Sequence, residues 1–191
     1  FLTMDVDGDG RSDIVARAAD GTLTIMRASG VAPDLLLSAT NGLGEQTNIA
    51  YKPLTDYTVF SKGSFSTYPN ADVQLALYVV SSVSSSNGVG GLLTTNYAYS
   101  ELKADMQGRG SLGFASTSAT RSIDAANTQT IVTYYSQSYP YTGLVKQQDV
   151  LVTINGTAFQ RLVKRTQNSF ANTGALSSPT QTTSTRYFPY T

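Results

Sequence analysis

The chain contains no cysteine and no histidine among its 191 residues. Disulfides, thiolate nucleophiles, histidine general bases and zinc sites of the usual types are therefore excluded. Charge is also scarce, because charged residues make up only 14% of the sequence and the formal net charge is +0. Nucleic-acid binding needs a basic face that displaces the counterions of phosphates, so no nucleic-acid partner is expected.

Long apolar runs are missing as well. No stretch approaches the roughly 20 apolar residues that a membrane-spanning helix needs, so no membrane span is expected. The chain starts at Phe1 instead of an initiator methionine, which is typical of a piece of a larger protein. Low charge combined with many Ser, Thr, Asn, Gln and Tyr residues favours a β-rich protein that is secreted or lies at the cell surface.

Strand and turn patterns are frequent. They predict an all-β fold in which antiparallel β-hairpins form an open curved sheet or part of a β-shell, with little helix. A hairpin is predicted around Asp20-Gly21 and another around Asn155-Gly156, because both dipeptides favour tight turns. The longest predicted hairpin runs from Asp72 to Leu102. The best helix-like segment is short and runs from Tyr99 to Met106.

Alternation of apolar and polar residues predicts further strand features. Leu35 to Thr40 is predicted to be a short apolar strand. Tyr57, Val59 and Ser61 are predicted to continue the alternation of the preceding strand. In the long hairpin, four apolar residues at alternate positions are predicted to share one face of the sheet: Val73, Leu75, Leu77 and Val79.

These patterns divide the chain into three parts. Residues 1–30 form a partial repeat around an acidic loop, residues 31–171 form a β-hairpin region, and residues 172–191 form a Ser/Thr-rich tail that is either mobile or an edge strand. A fragment of a hairpin array exposes strand edges that the whole protein covers. Homo-oligomers that pair through these edges are therefore expected.

The one dense cluster of acids lies between Asp5 and Asp13. Two like charges about 4 Å apart repel by roughly 4 kcal/mol at an effective dielectric of 20, so these acids need a cation if they are to converge. Calcium takes about six to eight oxygen ligands. The loop is therefore predicted to bind Ca²⁺ through the carboxylates of Asp5, Asp7, Asp9 and Asp13 and the carbonyl of Arg11. The ion is expected to act on stability and not on catalysis.

The acidic loop is open to two other interpretations. An EF-hand needs a bidentate Glu at the twelfth position, which is Ala16 here, and a following helix, whereas Ile14-Val15 begins a strand. An acidic surface turn without metal is a second interpretation. The nine-residue pattern that ends at Asp13 resembles the calcium loops of FG-GAP and VCBS repeats, which occur in propeller-like extracellular proteins.

Several sequence blocks between Leu35 and Val150 are informative in combination. They are Leu36 to Tyr51, Tyr68-Pro69 with Asp72-Val73-Gln74, Tyr78 to Val83, Asn87 to Gly91, Tyr97-Ala98-Tyr99, Leu102-Lys103-Ala104, Gln107 to Phe114 and Tyr139 to Leu144. Together they resemble the Rhs/YD-repeat superfamily, and within it the SpvB proteins and the B component of insecticidal toxin complexes. Such bacterial proteins wind β-hairpins into a hollow shell that encloses a toxic C-terminal polypeptide. The resemblance implies that the partners are the remainder of the same polypeptide and toxin-complex proteins.

The chain also departs from these relatives, since the full YD-repeat signature is not evident. An SpvB-type ADP-ribosyltransferase needs two glutamates two residues apart, whereas the only glutamates are Glu45 and Glu101. A hydrolase would need two carboxylates about 5–10 Å apart in a cleft. The acids outside the acidic loop stand singly, so no enzyme activity is expected.

The sequence therefore predicts a non-catalytic shell or scaffold segment of a secreted bacterial protein. The alternative is an extracellular adhesin or a carbohydrate-binding β module that uses some of the twelve tyrosines. Within Gln107 to Phe114, the glycines predict a bend between hairpins with Phe114 in the core. A second interpretation of that segment is that Arg109 presents its guanidinium to an anion.

Overall fold

The computed structural model describes residues 1–30, 34–154, 160–171 and 179–187, and within these ranges it contains strands and turns but no helix. The strands are β1 (Leu2–Met4), β2 (Asp13–Arg17), β3 (Leu23–Met26), β4 (Ser38–Thr40), β5 (Gln46–Pro53), β6 (Phe60–Ser61), β7 (Asn70–Asp72), β8 (Tyr78–Ser86), β9 (Leu92–Asp105), β10 (Gly110–Ser122), β11 (Thr128–Tyr135), β12 (Val145–Thr153), β13 (Gln160–Phe170) and β14 (Pro179–Arg186). The predicted all-β class is confirmed. No helix in the described ranges is long and apolar enough to cross a bilayer.

The strands form two sheets. A small antiparallel sheet contains β1, β2 and β3, and an 11-stranded sheet has the order β14-β13-β12-β11-β10-β9-β8-β5-β4. The short strands β6 and β7 pair with β9 beside this path, and among the described strands only β6 runs parallel to its partner. Within the described ranges β4 and β14 each have a partner on one side, so the large sheet is open, as the sequence predicts.

The turn chemistry of the sequence places several hairpins correctly. Gly21 has a φ of 90° and the backbone N–H of Thr22 donates to Asp20 at 2.9 Å, so the Asp-Gly turn joins β2 to β3. The segment Gln107 to Phe114 contains the turn between β9 and β10 and the start of β10, as predicted. The Asn155-Gly156 turn lies outside the described residues, and so do residues 172–178 of the tail.

Four predictions about local structure are wrong. Tyr99 to Met106 is not helical, because its residues up to Asp105 belong to β9 and are held there by pairing with β7 and β10. Only the last three residues of the predicted Leu35 to Thr40 strand are extended, as β4. After Pro53 the chain turns instead of continuing the alternation, since Asp56 accepts a hydrogen bond from the Thr58 N–H at 2.8 Å.

The fourth wrong prediction concerns the connection between β7 and β8. Leu75 and Leu77 lie outside any strand and are exposed, so they do not share a packed face with Val73 and Val79. The backbone of this connection is instead used to hold the neighbouring turn, because the Leu54 N–H donates to the Leu77 carbonyl at 2.9 Å.

The core of the described residues is small and lies where residues 54–60 cover β9 and β10. Leu54, Phe60 and Leu102 are buried and form one cluster. Four half-buried side chains pack around it: Val73, Val79, Tyr99 and Phe114. The Phe114 ring lies 6.2 Å from the Phe60 ring in an edge-to-face arrangement, which confirms the predicted anchoring of Phe114.

Away from this core, much of the large sheet is a single layer of half-buried strands held by polar contacts. Hydroxyl groups on neighbouring strands bond to each other, as in Ser84–Thr94 at 2.7 Å, Ser100–Ser116 at 2.7 Å and Thr120–Thr130 at 2.9 Å. Such cross-strand pairs each contribute roughly 0.2–1 kcal/mol. The sheet is therefore stabilised by many small local contacts along its length.

A stronger contact joins β12 to β13. Arg165 donates from Nε and Nη2 to the two oxygens of Asp149, both at 2.7 Å, and Gln147 donates to the same carboxylate at 2.9 Å. The Asp149 side chain is only 5% exposed. The hydrogen bond from Arg165 lowers the pKa of Asp149 below its ordinary value, although burial of the carboxylate acts in the opposite direction.

This pair predicts a pH-dependent stability. Because the folded-state pKa of Asp149 is lowered, its contribution is present above about pH 4 and is lost as pH falls through the folded-state pKa. We expect Arg165→Met to lower the free energy of unfolding by about 2 kcal/mol at pH 7, since it leaves a buried carboxylate without its charged donor. The difference from wild type should shrink below about pH 4 in urea unfolding series.

Arg121→Met is the matched control for this prediction. Arg121 donates to the neutral Gln129 amide at 3.0 Å on the same sheet, so its loss removes a similar side chain without leaving a buried charge. We expect an effect within about 0.5 kcal/mol and no acid dependence. A wild-type advantage over Arg165→Met that persists unchanged at pH 2 would contradict the role of Asp149 ionisation.

Candidate metal-binding loop

The acidic loop connects β1 to β2 in the small sheet. Met4 at the end of β1 pairs with Asp13 at the start of β2, so the two ends of the loop are brought together by the sheet itself. Gly8 and Gly10 have φ values of 76° and 84°. Residues other than glycine rarely adopt this backbone conformation. These two positions allow the chain to turn back on itself within a few residues.

The loop brings three of its four aspartates together. Asp5, Asp7 and Asp13 each offer a carboxylate oxygen, and these atoms all lie within 4.8 Å of one another. Asp13 is buried, whereas Asp5 and Asp7 are exposed. Within the described part of the chain, this is the one group of three or more acidic side chains that converges in this way.

Backbone N–H groups hold these carboxylates in place. Asp5 accepts from Gly8 at 2.7 Å and from Gly10 at 2.9 Å, through different oxygens. Asp13 accepts from Val6 at 3.0 Å and from Ala28 at 2.8 Å, so it ties the loop to the residues after β3. The sequence therefore fixes the carboxylate positions through local turns and one longer contact.

Asp9 is not part of the converging group. Its carboxylate accepts from Arg11 Nε at 2.8 Å and from Arg11 Nη2, and Arg11 Nη1 donates to the carbonyl of Gly30. The hydrogen bond from Arg11 lowers the pKa of Asp9, and the same contact raises the pKa of Arg11. The structure thus uses the Arg11 side chain to neutralise Asp9.

The donor set of Asp5, Asp7 and Asp13 fits a hard divalent cation. All three donors are carboxylates, and calcium prefers oxygen ligands. Asp5 Oδ2 and the two oxygens of Asp13 each accept one N–H, so each keeps a second lone pair for a metal. The ion pairs of the described residues give this group one weak neutralising contact, from Arg27 Nε to Asp7 at 3.7 Å. Three acids with one distant cation leave negative charge that a bound cation would offset.

The acidic loop also contacts the large sheet. Thr55 donates from Oγ1 to the Gly8 carbonyl, and the Tyr78 hydroxyl donates to the Asp9 carbonyl. Gly10 lies so close to the chain before β8 that an added Cβ would be 2.7 Å from the carbonyl oxygen of Ala76. The loop therefore joins the two sheets as well as grouping the carboxylates.

Sequence reasoning did not identify Thr55 or Tyr78 as parts of this site. Thr55 lies 47 residues from its partner Gly8, and Tyr78 lies 69 residues from Asp9. Neither residue belongs to a motif with the acids. No local signal in the sequence points to either contact, since the loop glycines are already accounted for by their positive φ values.

Comparison with known proteins gives one family. A family model described as "Insecticide toxin TcdB middle/N-terminal region" matches residues 1–143 of the 191, from the acidic loop to the segment after β11. No curated protein and no solved structure matches the chain.

Proposed function

The chain belongs to the insecticide toxin TcdB middle/N-terminal region family, and from this membership we propose that it is a non-catalytic structural segment of a toxin-complex protein. The observation that carries the proposal is the open 11-stranded sheet, which is built largely as a single layer with a small core. A sheet of this kind is suited to forming part of a wall.

We propose further that this wall belongs to a β-hairpin shell of the Rhs type, in a secreted bacterial protein that encloses a toxic C-terminal polypeptide. The blocks that resemble SpvB and toxin-complex B proteins support this role. The remainder of the same polypeptide would cover the edges of the sheet, and toxin-complex proteins would be its partners. Enzyme activity is not part of the proposal, because the acids of the large sheet act in structural contacts such as Asp149 with Arg165.

The wall proposal predicts self-association of the isolated chain. Within the described residues β14 pairs only with β13, and an uncovered strand edge readily pairs with another chain. We expect light scattering to show dimers that increase with concentration. Thr183→Lys, which places a charge on this edge strand, should shift the protein towards monomer, while Asn96→Lys at an exposed position of the interior strand β9 serves as a position control. A wild-type chain that stays monomeric at high concentration would contradict the proposal.

We also propose that the acidic loop binds Ca²⁺ through Asp5, Asp7 and Asp13. The ion would neutralise the converging carboxylates and fix the end of β1 to the start of β2, and its effect would be on stability. The resemblance of the loop to FG-GAP and VCBS calcium loops supports the choice of calcium. The Arg11 carbonyl remains a predicted fourth contributor, and Asp9 is omitted because the Arg11 side chain already occupies its carboxylate.

Calcium is expected to stabilise the folded chain. At a free concentration about a hundredfold above the dissociation constant, binding adds roughly 2.7 kcal/mol to the free energy of unfolding. Asp7→Asn should abolish this gain, because it removes one converging carboxylate that accepts a single described backbone hydrogen bond. Asp9→Asn is the matched control and should retain the gain. Thermal unfolding with calcium and with excess chelator measures both, and identical melting curves for wild type would refute the site.

A further inference from the structure

A polar recess lies at one end of the large sheet, away from the acidic loop. It encloses about 340 Å³ and is open to solvent. Three segments form it: the chain entering β7, the turn between β9 and β10, and the chain that follows β11. Its lining residues are Pro69, Asn70, Asp105, Arg109, Leu112, Gln137, Ser138 and Tyr139.

The walls of the recess are fixed by hydrogen bonds within the protein. The Met106 N–H donates to the Pro69 carbonyl at 2.8 Å, which ties the turn to the chain before β7. The Gln137 amide donates to the carbonyls of Glu101 and Gly113, both at 2.7 Å, which ties the third segment to β9 and β10. Leu112 lines the recess and is buried. The recess is therefore formed before any ligand arrives, as ligand sites usually are.

The charges inside the recess cancel. Asp105 is buried, with its side chain 4% exposed, and Arg109 Nη1 lies 3.4 Å from its Oδ2 atom. Arg109 itself is half exposed, so its remaining guanidinium N–H groups face solvent. A site with one anion and one cation has no net charge to attract an ion. The Asp105 carboxylate also accepts from the Gln107 N–H at 2.7 Å, so the groups left for a neutral ligand are the remaining N–H groups of Arg109 and the Asn70 amide.

An aromatic ring completes the lining. The Arg109 guanidinium carbon lies 4.5 Å from the centre of the Tyr139 ring, and this stacking holds the guanidinium in a fixed plane. Tyr139 is nevertheless 69% exposed, so much of the ring remains open for packing against an apolar surface. A ligand that matches the recess has both paired polar groups and an apolar face.

We propose that this recess binds a neutral saccharide. Neighbouring hydroxyls of a sugar would bond to Asn70 and Arg109, while the C–H face of the sugar ring would pack against Tyr139. The recess contains a single carboxylate, whereas glycoside hydrolysis needs two. The site is therefore a binding site and not a hydrolase centre. This inference goes beyond the proposed structural role and does not depend on it.

Saturation-transfer NMR and calorimetry with the 191-residue chain test the proposal, using neutral and acidic oligosaccharides as probes. We expect a neutral oligosaccharide to bind with a dissociation constant on the order of 1 mM, as is usual for a small polar ligand in an open site. Tyr139→Ala should weaken binding about tenfold through loss of ring packing. Arg109→Lys should weaken it comparably, because lysine keeps the charge but loses the planar fork.

Tyr57→Ala is the matched control, since Tyr57 is 89% exposed and does not line the recess. It should bind like wild type. The three altered side chains are largely exposed, so the variants should fold, which circular dichroism verifies. Absence of binding by any neutral oligosaccharide at 10 mM (~1 mM being expected) overturns the proposal. Binding of acidic sugars alone, or binding that is unchanged in Tyr139→Ala, overturns it as well.

Discussion

Replacing Leu54 by alanine is expected to lower the free energy of unfolding by about 3 kcal/mol. Leu54 is completely buried and lies at the centre of a cluster with only two other buried members, Phe60 and Leu102. Truncation removes the apolar contacts of the side chain and leaves a cavity that its neighbours cannot easily fill. For a chain of this size, the melting temperature should fall by roughly 6–12 °C.

Leu43→Ala is the control for the Leu54 experiment. Leu43 is the same residue type but is 89% exposed in the turn between β4 and β5, so its loss should change the free energy of unfolding by less than about 0.5 kcal/mol. Urea and thermal unfolding measure both variants. Equal effects of the two substitutions would mean that the cluster around Leu54 does not hold the large sheet together, and that the cross-strand polar contacts suffice.

The hairpins were predictable where the turn chemistry is local. Asp20-Gly21 places a positive φ and an aspartate cap between two alternating runs, and the sheet forms around it. The glycine-containing bend before Phe114 was predictable for the same reason. The prediction that Val73 to Val79 forms a strand was wrong. Alternation of apolar and polar side chains does not show whether a neighbouring strand is available for pairing. There the chain leaves the sheet, and the Leu77 carbonyl accepts a hydrogen bond from the Leu54 N–H in the neighbouring turn.

The acidic loop was predictable as a cluster but not in detail. Alternating aspartates and glycines indicate convergence, and three of the four carboxylates do converge. Asp9 does not join the converging carboxylates because the guanidinium of Arg11, two residues later, donates to it from both Nε and Nη2. The spacing of the acids alone does not show which of them forms an ion pair with a neighbouring basic side chain. The contacts from Thr55 and Tyr78 depend on how the two sheets meet, which no local pattern encodes.

Replacing Gly10 by alanine is expected to cause a second large loss of stability, because the acidic loop lies close to the large sheet at this residue. Gly10→Ala would place a Cβ 2.7 Å from the Ala76 carbonyl oxygen and 2.8 Å from the Tyr78 ring. The φ of 84° adds strain of about 1–2 kcal/mol for any residue with a Cβ. The Ala76 carbonyl oxygen is a backbone atom and cannot move aside as the end of a flexible side chain can. We therefore expect the loop to move away from the large sheet and the Tyr78–Asp9 hydrogen bond to break. The total cost should be about 3 kcal/mol.

Gly88→Ala separates the two parts of this cost. Gly88 has a φ of 76° but no atom within 4 Å of an added Cβ, so alanine there has the backbone strain without the clash. We expect a cost of only about 1 kcal/mol. Hydrogen exchange should also show faster exchange of β1 to β3 in Gly10→Ala and not in Gly88→Ala, because only the first substitution separates the small sheet from its support. If the two variants lose equal stability and protection, the contact at Ala76 and Tyr78 does not hold the sheets together. In that case the acidic loop acts on the small sheet alone, and calcium would stabilise β1 to β3 without affecting the large sheet.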